Sequence, residues 1–356
     1  MAKNGFKVMD SDMHIVEPSD LWVRYMEPQF REQAPVGIDQ YLLDFGLEIA
    51  GKPISGFRPL DIGSVPQPQV RMNRLDNNPE MRSAIEAAIE RDFDPVSQLD
   101  AMDREGVDLT VLFPSRGLAA EAMEFQDTKL AAAVARAYNN WLGDFCKEDP
   151  TRLYGAAMLS VHDIEEAVVE ARRAKEDLGF VAVFLRPNPV RGRNWHDPSY
   201  DPLWEECQRL ELAVCFHEGQ DCLLPQAVAE RFNKEPEHLW TMGHVADHPI
   251  EMMYATLCFT AGGVLERFPR LRVGFLEANC SWVPYWLWRI DEHNEARGRT
   301  LPLKPSEYFL RQCFVSVESE EELCKYVIDW MGDDNIVFST DYPHVDSQYP
   351  GVMDKF

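Results

Sequence analysis

No stretch of this 356-residue chain approaches the apolar length of a membrane span, which takes about 18 consecutive apolar residues. The N-terminus, Met-Ala-Lys-Asn-Gly, is polar and carries no signal-like apolar core. Basic residues are scarce: 35 Lys and Arg stand against 60 Asp and Glu, a formal net charge of −25. Phosphate neutralisation needs clustered Lys and Arg, so a general nucleic-acid binder is excluded, and attachment to anionic membranes is disfavoured. None of the eight cysteines belongs to a Cys-x-x-Cys pair. Several, such as Cys215 and Cys313, sit in apolar runs where a buried thiol behaves as a small hydrophobe. The expectation is a reduced, cytoplasmic protein.

Several catalytic signatures are missing as well. No Gly-x-Gly-x-x-Gly follows the first apolar run, and neither a Gly-x-Ser-x-Gly elbow nor a phosphate-binding Walker loop occurs. Cys146 and Cys280 lack a neighbouring His that would generate a nucleophilic thiolate. There is no internal repeat and no low-complexity tract.

What is present is a core-forming composition, 45% apolar, arranged as short β-type runs alternating with helical patterns. Strands are predicted at Phe6–Asp12, Val107–Phe113, Leu153–Ser160, Phe180–Arg186, Leu212–His217, Arg272–Glu277, Cys313–Val317 and Ile336–Asp341. Most are near-continuous apolar runs, as in parallel strands covered on both faces. Helices are predicted at Ser97–Arg104, Lys129–Lys147, Asp163–Leu178, Pro202–Leu210, Pro249–Phe268, Val283–Ala296 and Glu320–Met331, with Asp163 placed to cap the third. The alternation predicts an α/β protein, a single-domain (β/α)8 TIM barrel over residues 1–356. Two insertions interrupt it, residues 17–95 after the first strand and 218–248 after the fifth. Both leave the C-terminal ends of strands, where such barrels hold their active sites, so lid or pocket-wall roles are natural. After the eighth strand only Tyr342–Phe356 remain. That is short for a long loop and a normal closing helix, so a truncated chain or a differently capped barrel is expected.

Four strands finish on ligand-type residues: Asp12-Met13-His14 after the first, His217 after the fifth, Glu277 at the sixth and Asp341 at the eighth. Alternate residues of an extended chain share a face, so Asp12 and His14 point the same way. Nitrogen and carboxylate donors together suit a borderline divalent ion, zinc first, with manganese, iron or cobalt as alternatives, rather than a calcium cage. Singly, each has an ordinary explanation. Asp12 could be a turn or capping acid, His217 a hydrogen-bonded core histidine, and Asp341 a turn carboxylate before Tyr-Pro. Together, at the mouth of one barrel, they favour a metal site, and they argue against a silent barrel that only binds a ligand.

The stretches Asp10-Ser-Asp-Met-His-Ile-Val-Glu-Pro18, Phe216-His217, Gly263-Val-Leu-Glu-Arg-Phe-Pro-Arg-Leu-Arg-Val273, Trp286-Leu-Trp-Arg-Ile-Asp291 and Phe338-Ser-Thr-Asp-Tyr-Pro-His344 span nearly the whole chain. In order and spacing they resemble the metal-dependent amidohydrolase superfamily, in particular amidohydrolase family 2 with its aminocarboxymuconate-semialdehyde decarboxylase group. The resemblance implies one divalent ion held by Asp12, His14, His217 and Asp341. It also implies that Asp341 shuttles a proton, in either hydrolysis or non-oxidative decarboxylation of small acids. Proteins similar to this one tend to pair, so a homodimer or higher homo-oligomer is expected beside a small-molecule substrate.

One departure stands out. The decarboxylase branch usually carries Gly-His-x-Gly-Glu after the sixth strand, whereas this chain reads Phe275-Leu-Glu-Ala-Asn-Cys280, with Glu277 near the expected His. A carboxylate beside a metal-activated water suits hydrolysis, so hydrolysis of an amide, ester or C–C bond in a small cyclic or aromatic acid is the first expectation. Decarboxylation of an aromatic or unsaturated acid is the alternative. A structural ion pair of Glu277 with Arg186 or Arg289 stands equally open. His244 and His248, four apart, could supply the missing imidazole, act on the substrate or form a helical metal pair, although Pro249 argues against one helix through both. Arg186 could clamp a substrate carboxylate or pair with an acid in the mouth. Trp282, Tyr285, Trp286 and Trp288 read as helix packing, with Trp282 the best candidate to face a flat substrate. Glu17 lies close enough to support the ligands from behind.

Overall fold

The computed structural model describes residues 5–38, 46–49, 52–54, 78–121, 123, 125, 127–218, 228, 231, 239–298, 301–344 and 347–355. Eight parallel strands follow one another around a sheet in sequence order: β1 (Met9–Ile15), β2 (Leu109–Pro114), β3 (Leu153–Met158), β4 (Ala182–Leu185), β5 (Ala213–His217), β6 (Val273–Leu276), β7 (Cys313–Val317) and β8 (Ile336–Phe338). Every residue of β4 and β6 is buried, the consequence of a sheet with a filled interior and a coat of helices. The ring closes where β1 meets the segment after β8. His14 N donates to Tyr342 O at 2.7 Å, Asp341 N to Asp12 O at 3.2 Å, and Ser11 Oγ to Phe338 O at 2.7 Å. The predicted TIM barrel is therefore the fold.

Local chemistry explains where the helices begin. Asp163 accepts from Glu165 N and Glu166 N at the start of Ile164–Glu176, as predicted. Asp94 and Asp127 do the same for Pro95–Glu105 and Thr128–Cys146. Between the strands and their helices lies a layer of aromatic rings. Trp195 and Phe259 sit 5.2 and 5.3 Å from Phe216, and Phe216 stacks on Phe275 at 5.9 Å. Such pairs contribute roughly 0.5–1.5 kcal/mol each beyond their burial.

The structure corrects several element boundaries. β1 runs on to Ile15 rather than ending at Asp12, because His14 and Ile15 stay in register with Phe113 and Pro114 of β2. β8 stops at Phe338 rather than Asp341, whose φ of +55° cannot continue a strand. The long helix predicted over Pro249–Phe268 is two helices, Val245–Phe259 and Val264–Arg267, broken where Gly263 takes φ +81°. Pro249 lies inside the first of these, which continues directly from a π-helical turn at Leu239–His244. The helices Leu21–Tyr25, Pro79–Ile89, Arg116–Glu121 and Pro305–Gln312 escaped the periodicity reading. Among the described residues of the first insertion is a small antiparallel sheet of Val36–Gly37, Leu47–Ile49 and Lys52–Ile54. Most of the second insertion, and Cys222, lie outside the described residues. After β8 a short helix, Val352–Lys355, is tied down by Gly351 N and Met353 N donating to Glu105. No helix among the described residues is long and apolar enough to cross a membrane.

Two predictions follow from this packing. A Cβ on Gly155, in β3, would lie 2.5 Å from the Phe180 ring. Gly155→Ala is therefore expected to cost about 1–3 kcal/mol, read from the urea midpoint. Glu206 accepts from Arg209 at 2.8 and 2.9 Å and from Arg172 at 2.7 Å, and these guanidinium groups hold its carboxyl down to about 2. A depressed carboxyl stabilises the fold fully above the unfolded value of about 4.3 and loses that contribution as pH falls through its folded value. Glu206→Gln should flatten the melting-temperature profile between about pH 4.5 and 2 relative to the parent.

Candidate metal and active site

β1 carries Asp12 and His14 on one face of the strand, both completely buried. They lie within the last half of β1, not beyond its tip. His217 is the last residue of β5, Glu277 the first after β6, and Asp341 lies three residues past β8. Glu277 and Asp341 both adopt left-handed backbone, φ +50° and +55°. Such conformations cost about 1–3 kcal/mol and tend to persist where a site fixes them. Here each swings a carboxylate from its strand end toward the barrel axis.

The imidazoles are aimed by their outer nitrogens. His14 Nδ1 lies 2.7 Å from Pro114 O, and His217 Nδ1 lies 2.5 Å from Glu218 O. A carbonyl oxygen only accepts, so each Nδ1 carries the hydrogen and each Nε2 presents a lone pair. Those two Nε2 atoms face each other at 3.0 Å. Asp12 Oδ1 lies 3.5 Å from His14 Nε2 and 3.4 Å from His217 Nε2, and Asp341 Oδ1 lies 3.3 Å from His14 Nε2. Both Asp12 oxygens are buried with no hydrogen-bond partner. Converging lone pairs and an orphaned buried carboxylate are unfavourable without positive charge between them. Asp12, His14 and His217, with Asp341 beside them, thus fit a divalent cation in both geometry and donor type.

The electrostatics agree. Burial, reinforced by the Asp341 and Glu277 carboxylates, pushes Asp12 well above the ordinary carboxylate range. Burial, with His344 and His217, pushes His14 well below the usual imidazole range, and burial pushes His217 down to about 4. Neutral imidazoles are the form that binds metal. Phe113 and Phe184 pack under His217 at 5.8 and 6.1 Å, giving the site an apolar floor.

Three residues outside the predicted set complete the surroundings. His344 Nδ1 lies 2.9 Å from Asp341 Oδ1, its ring stacks on His14 at 3.9 Å, and its Nε2 lies 3.1 Å from Ser115 Oγ. Burial alone would lower His344, but Asp341 and Glu277 hold it well above the usual imidazole value. Asp10 accepts from Asp12 N at 3.0 Å and from Thr340 Oγ1 at 2.5 Å, pinning β1 to the segment that delivers Asp341. The spacing Asp341-Tyr-Pro-His344 and the Asp10-Ser-Asp12 pair were the available signals. Glu17 sits one step behind the ligands. Its carboxylate accepts from Ser115 N, Arg116 N and Gly117 N at 3.2, 2.8 and 2.9 Å, fixing the turn that presents Ser115.

Among the described residues Glu277 pairs with imidazoles rather than arginine. Its Oε2 lies 3.3 Å from His217 Nε2 and 3.5 Å from His248 Nε2, and its Oε1 lies 3.9 Å from His344 Nδ1. Burial would raise its carboxyl, but His248 and His217 hold it well below the ordinary range. Arg289 pairs with Glu292, and Arg186 donates to the carbonyls of Glu121 and Pro189 at 3.4 Å. His244, His248, Glu277 and Asp341 border a cavity of about 270 Å³. Arg186 and Trp282 are not on its wall; Trp282 is buried edge-on against Phe275. Trp286 packs and donates to Met253 O, whereas Tyr285 and Trp288 are exposed rather than packed.

The family model for amidohydrolases matches residues 10–353. The chain belongs to amidohydrolase family 2. It is 28% identical over 255 residues to 2-amino-3-carboxymuconate-6-semialdehyde decarboxylase of Dictyostelium discoideum, covering 70% of this chain and 67% of that one. It is also 28% identical over 261 residues to gamma-resorcylate decarboxylase of Rhizobium radiobacter, covering 69% and 76%. Among solved structures, an amidohydrolase from Mycobacterium avium subsp. paratuberculosis superposes with a TM-score of 0.73 at 20% identity, over 96% of this amidohydrolase and 91% of that chain. The manganese complex of 5-carboxyvanillate decarboxylase from Novosphingobium aromaticivorans superposes at 0.64 and 18%, over 99% and 89%. Both establish the shared fold.

Asp12→Asn leaves the converging lone pairs without their central carboxylate. It is expected to lower bound divalent metal by one ion per chain, counted by elemental analysis of the purified protein.

Proposed function

We propose that this amidohydrolase catalyses non-oxidative decarboxylation of a small aromatic or unsaturated carboxylic acid, using one divalent ion held by Asp12, His14, His217 and Asp341. Hydrolysis was the first expectation because Glu277 replaces the imidazole that the decarboxylase branch carries after β6. That objection loses its force once His248 Nε2 lies 3.5 Å from Glu277, since an imidazole reaches the same place from a neighbouring helix. The two curated relatives compared above are decarboxylases, which points the same way.

The observation that carries the reading is the chain of contacts from Asp341 Oδ1 to His344 Nδ1 at 2.9 Å and from His344 Nε2 to Ser115 Oγ at 3.1 Å. In decarboxylation the bond between the ring or alkene carbon and the carboxylate breaks. The electron pair stays on that carbon, which takes up one proton as carbon dioxide leaves. In this reading Asp341, which borders the cavity, hands over that proton, and His344, with Ser115 behind it, replaces it. A bound divalent ion would supply the positive charge that neutralises the carboxylates and orients the substrate's anionic oxygens. Glu277 and His248 face the same cavity and position the substrate, while Asp10 and Glu17 hold the supporting backbone. Manganese and zinc both suit the donor set.

The test is a screen of hydroxybenzoate-type acids and their amides with the zinc- or manganese-loaded protein. Carbon dioxide release with uptake of one proton per turnover is expected. His344→Asn is expected to lower kcat about 10²-fold or more while metal content is retained. Formation of a new carboxylate or amine without carbon dioxide returns the assignment to hydrolysis.

A further inference from the structure

Beside the four-residue set, the described residues contain a second convergence of donors. His244, His248 and Glu277 each offer a ligand atom, and these atoms lie within 4.8 Å of one another. The π-helical turn Leu239–His244 runs straight into Val245–Phe259, so residues four apart share a face, and the two rings stack at 4.0 Å. His248 Nδ1 lies 3.1 Å from His244 O, which places the hydrogen on Nδ1 and turns the Nε2 lone pair toward Glu277 Oε2 at 3.5 Å. An imidazole lone pair facing a buried carboxylate oxygen repeats the arrangement seen around Asp12. The same Glu277 oxygen lies 3.3 Å from His217 Nε2, so one carboxylate stands between the two sets. All three residues border the 270 Å³ cavity, whose wall includes no Lys or Arg among the described residues and leaves space for water or substrate oxygens.

We propose that His244, His248 and Glu277 hold a second divalent cation next to the first, with Glu277 as the carboxylate between them. Two imidazole nitrogens and one carboxylate oxygen, with positions left open to the cavity, suit zinc or a similar borderline ion. His244 offers a nitrogen within 4.8 Å of both a His248 nitrogen and a Glu277 oxygen, so the convergence involves three side chains and not a single His–Glu pair. An ion held there would border the cavity, where substrate oxygens could reach it. The proposal is independent of which reaction the site performs, and it exceeds the single ion that the family resemblance implies.

The chelator-stripped full-length protein is titrated with zinc alone, and bound ions are counted by elemental analysis after desalting; cobalt absorption gives a second readout. The parent is expected to saturate at two ions per chain. His244→Gln and His248→Gln are each expected to saturate at one, with the metal-free melting temperature unchanged. Asp12→Asn is expected to retain one ion, in the second set. Saturation of the parent at one ion overturns the proposal, and that measurement stands even if a variant fails to fold. Retention of two ions by both histidine variants, or loss of both ions from Asp12→Asn, overturns it as well.

Discussion

The mouth of this barrel is organised around a repulsion. Two imidazole nitrogens point lone pairs at each other across 3.0 Å, beside a buried aspartate whose oxygens have no donor. In water such groups would be solvated. Inside an apolar wall only a cation or rearrangement relieves them. Much of the surrounding construction keeps that arrangement from relaxing. The Pro114 and Glu218 carbonyls fix the tautomers, Phe113 and Phe184 support the rings from below, and Asp10 ties β1 to the strand end that delivers Asp341.

The same logic accounts for the strained backbone. Glu277 and Asp341 occupy left-handed conformations that ordinary residues avoid, each directly or shortly after a strand. A continued strand would carry their carboxylates along the barrel wall rather than over its centre. Closure of the ring by His14, Asp341 and Ser11 holds the Asp341 turn in place. Strain at the rim is thereby offset by cooperative burial in the barrel below.

The replacement of the usual histidine after β6 by Glu277 reads differently once the helix from the second insertion is in view. The acid at that position is accompanied by an imidazole from another element, so His248 and Glu277 stand together at that part of the rim. The wall it forms is rich in acids and imidazoles, which fits a site that collects divalent cations more readily than one that clamps a substrate with arginine. Arg186, engaged with the carbonyls of Glu121 and Pro189, is consistent with that division of labour.

The barrel was legible in the sequence because parallel strands buried on both faces are written as continuous apolar runs, and eight of them alternate with helical patterns. That Asp12, His14, His217 and Asp341 come together was legible for a related reason: strand ends in a barrel converge on one axis whatever their separation along the chain. Only the folded chain decided the rest. His344 gains its part from a tight turn that lays its ring on His14, Ser115 from a loop held by Glu17, and Asp10 from a bond across the closing seam. Glu277 found imidazoles rather than arginine because a helix begun by a π-helical turn carries His248 over the rim, a path that Pro249 argued against in the linear text. Periodicity records which face of an element is buried; it does not record which loop arrives above it, and side-chain partners across the mouth are set by that arrival.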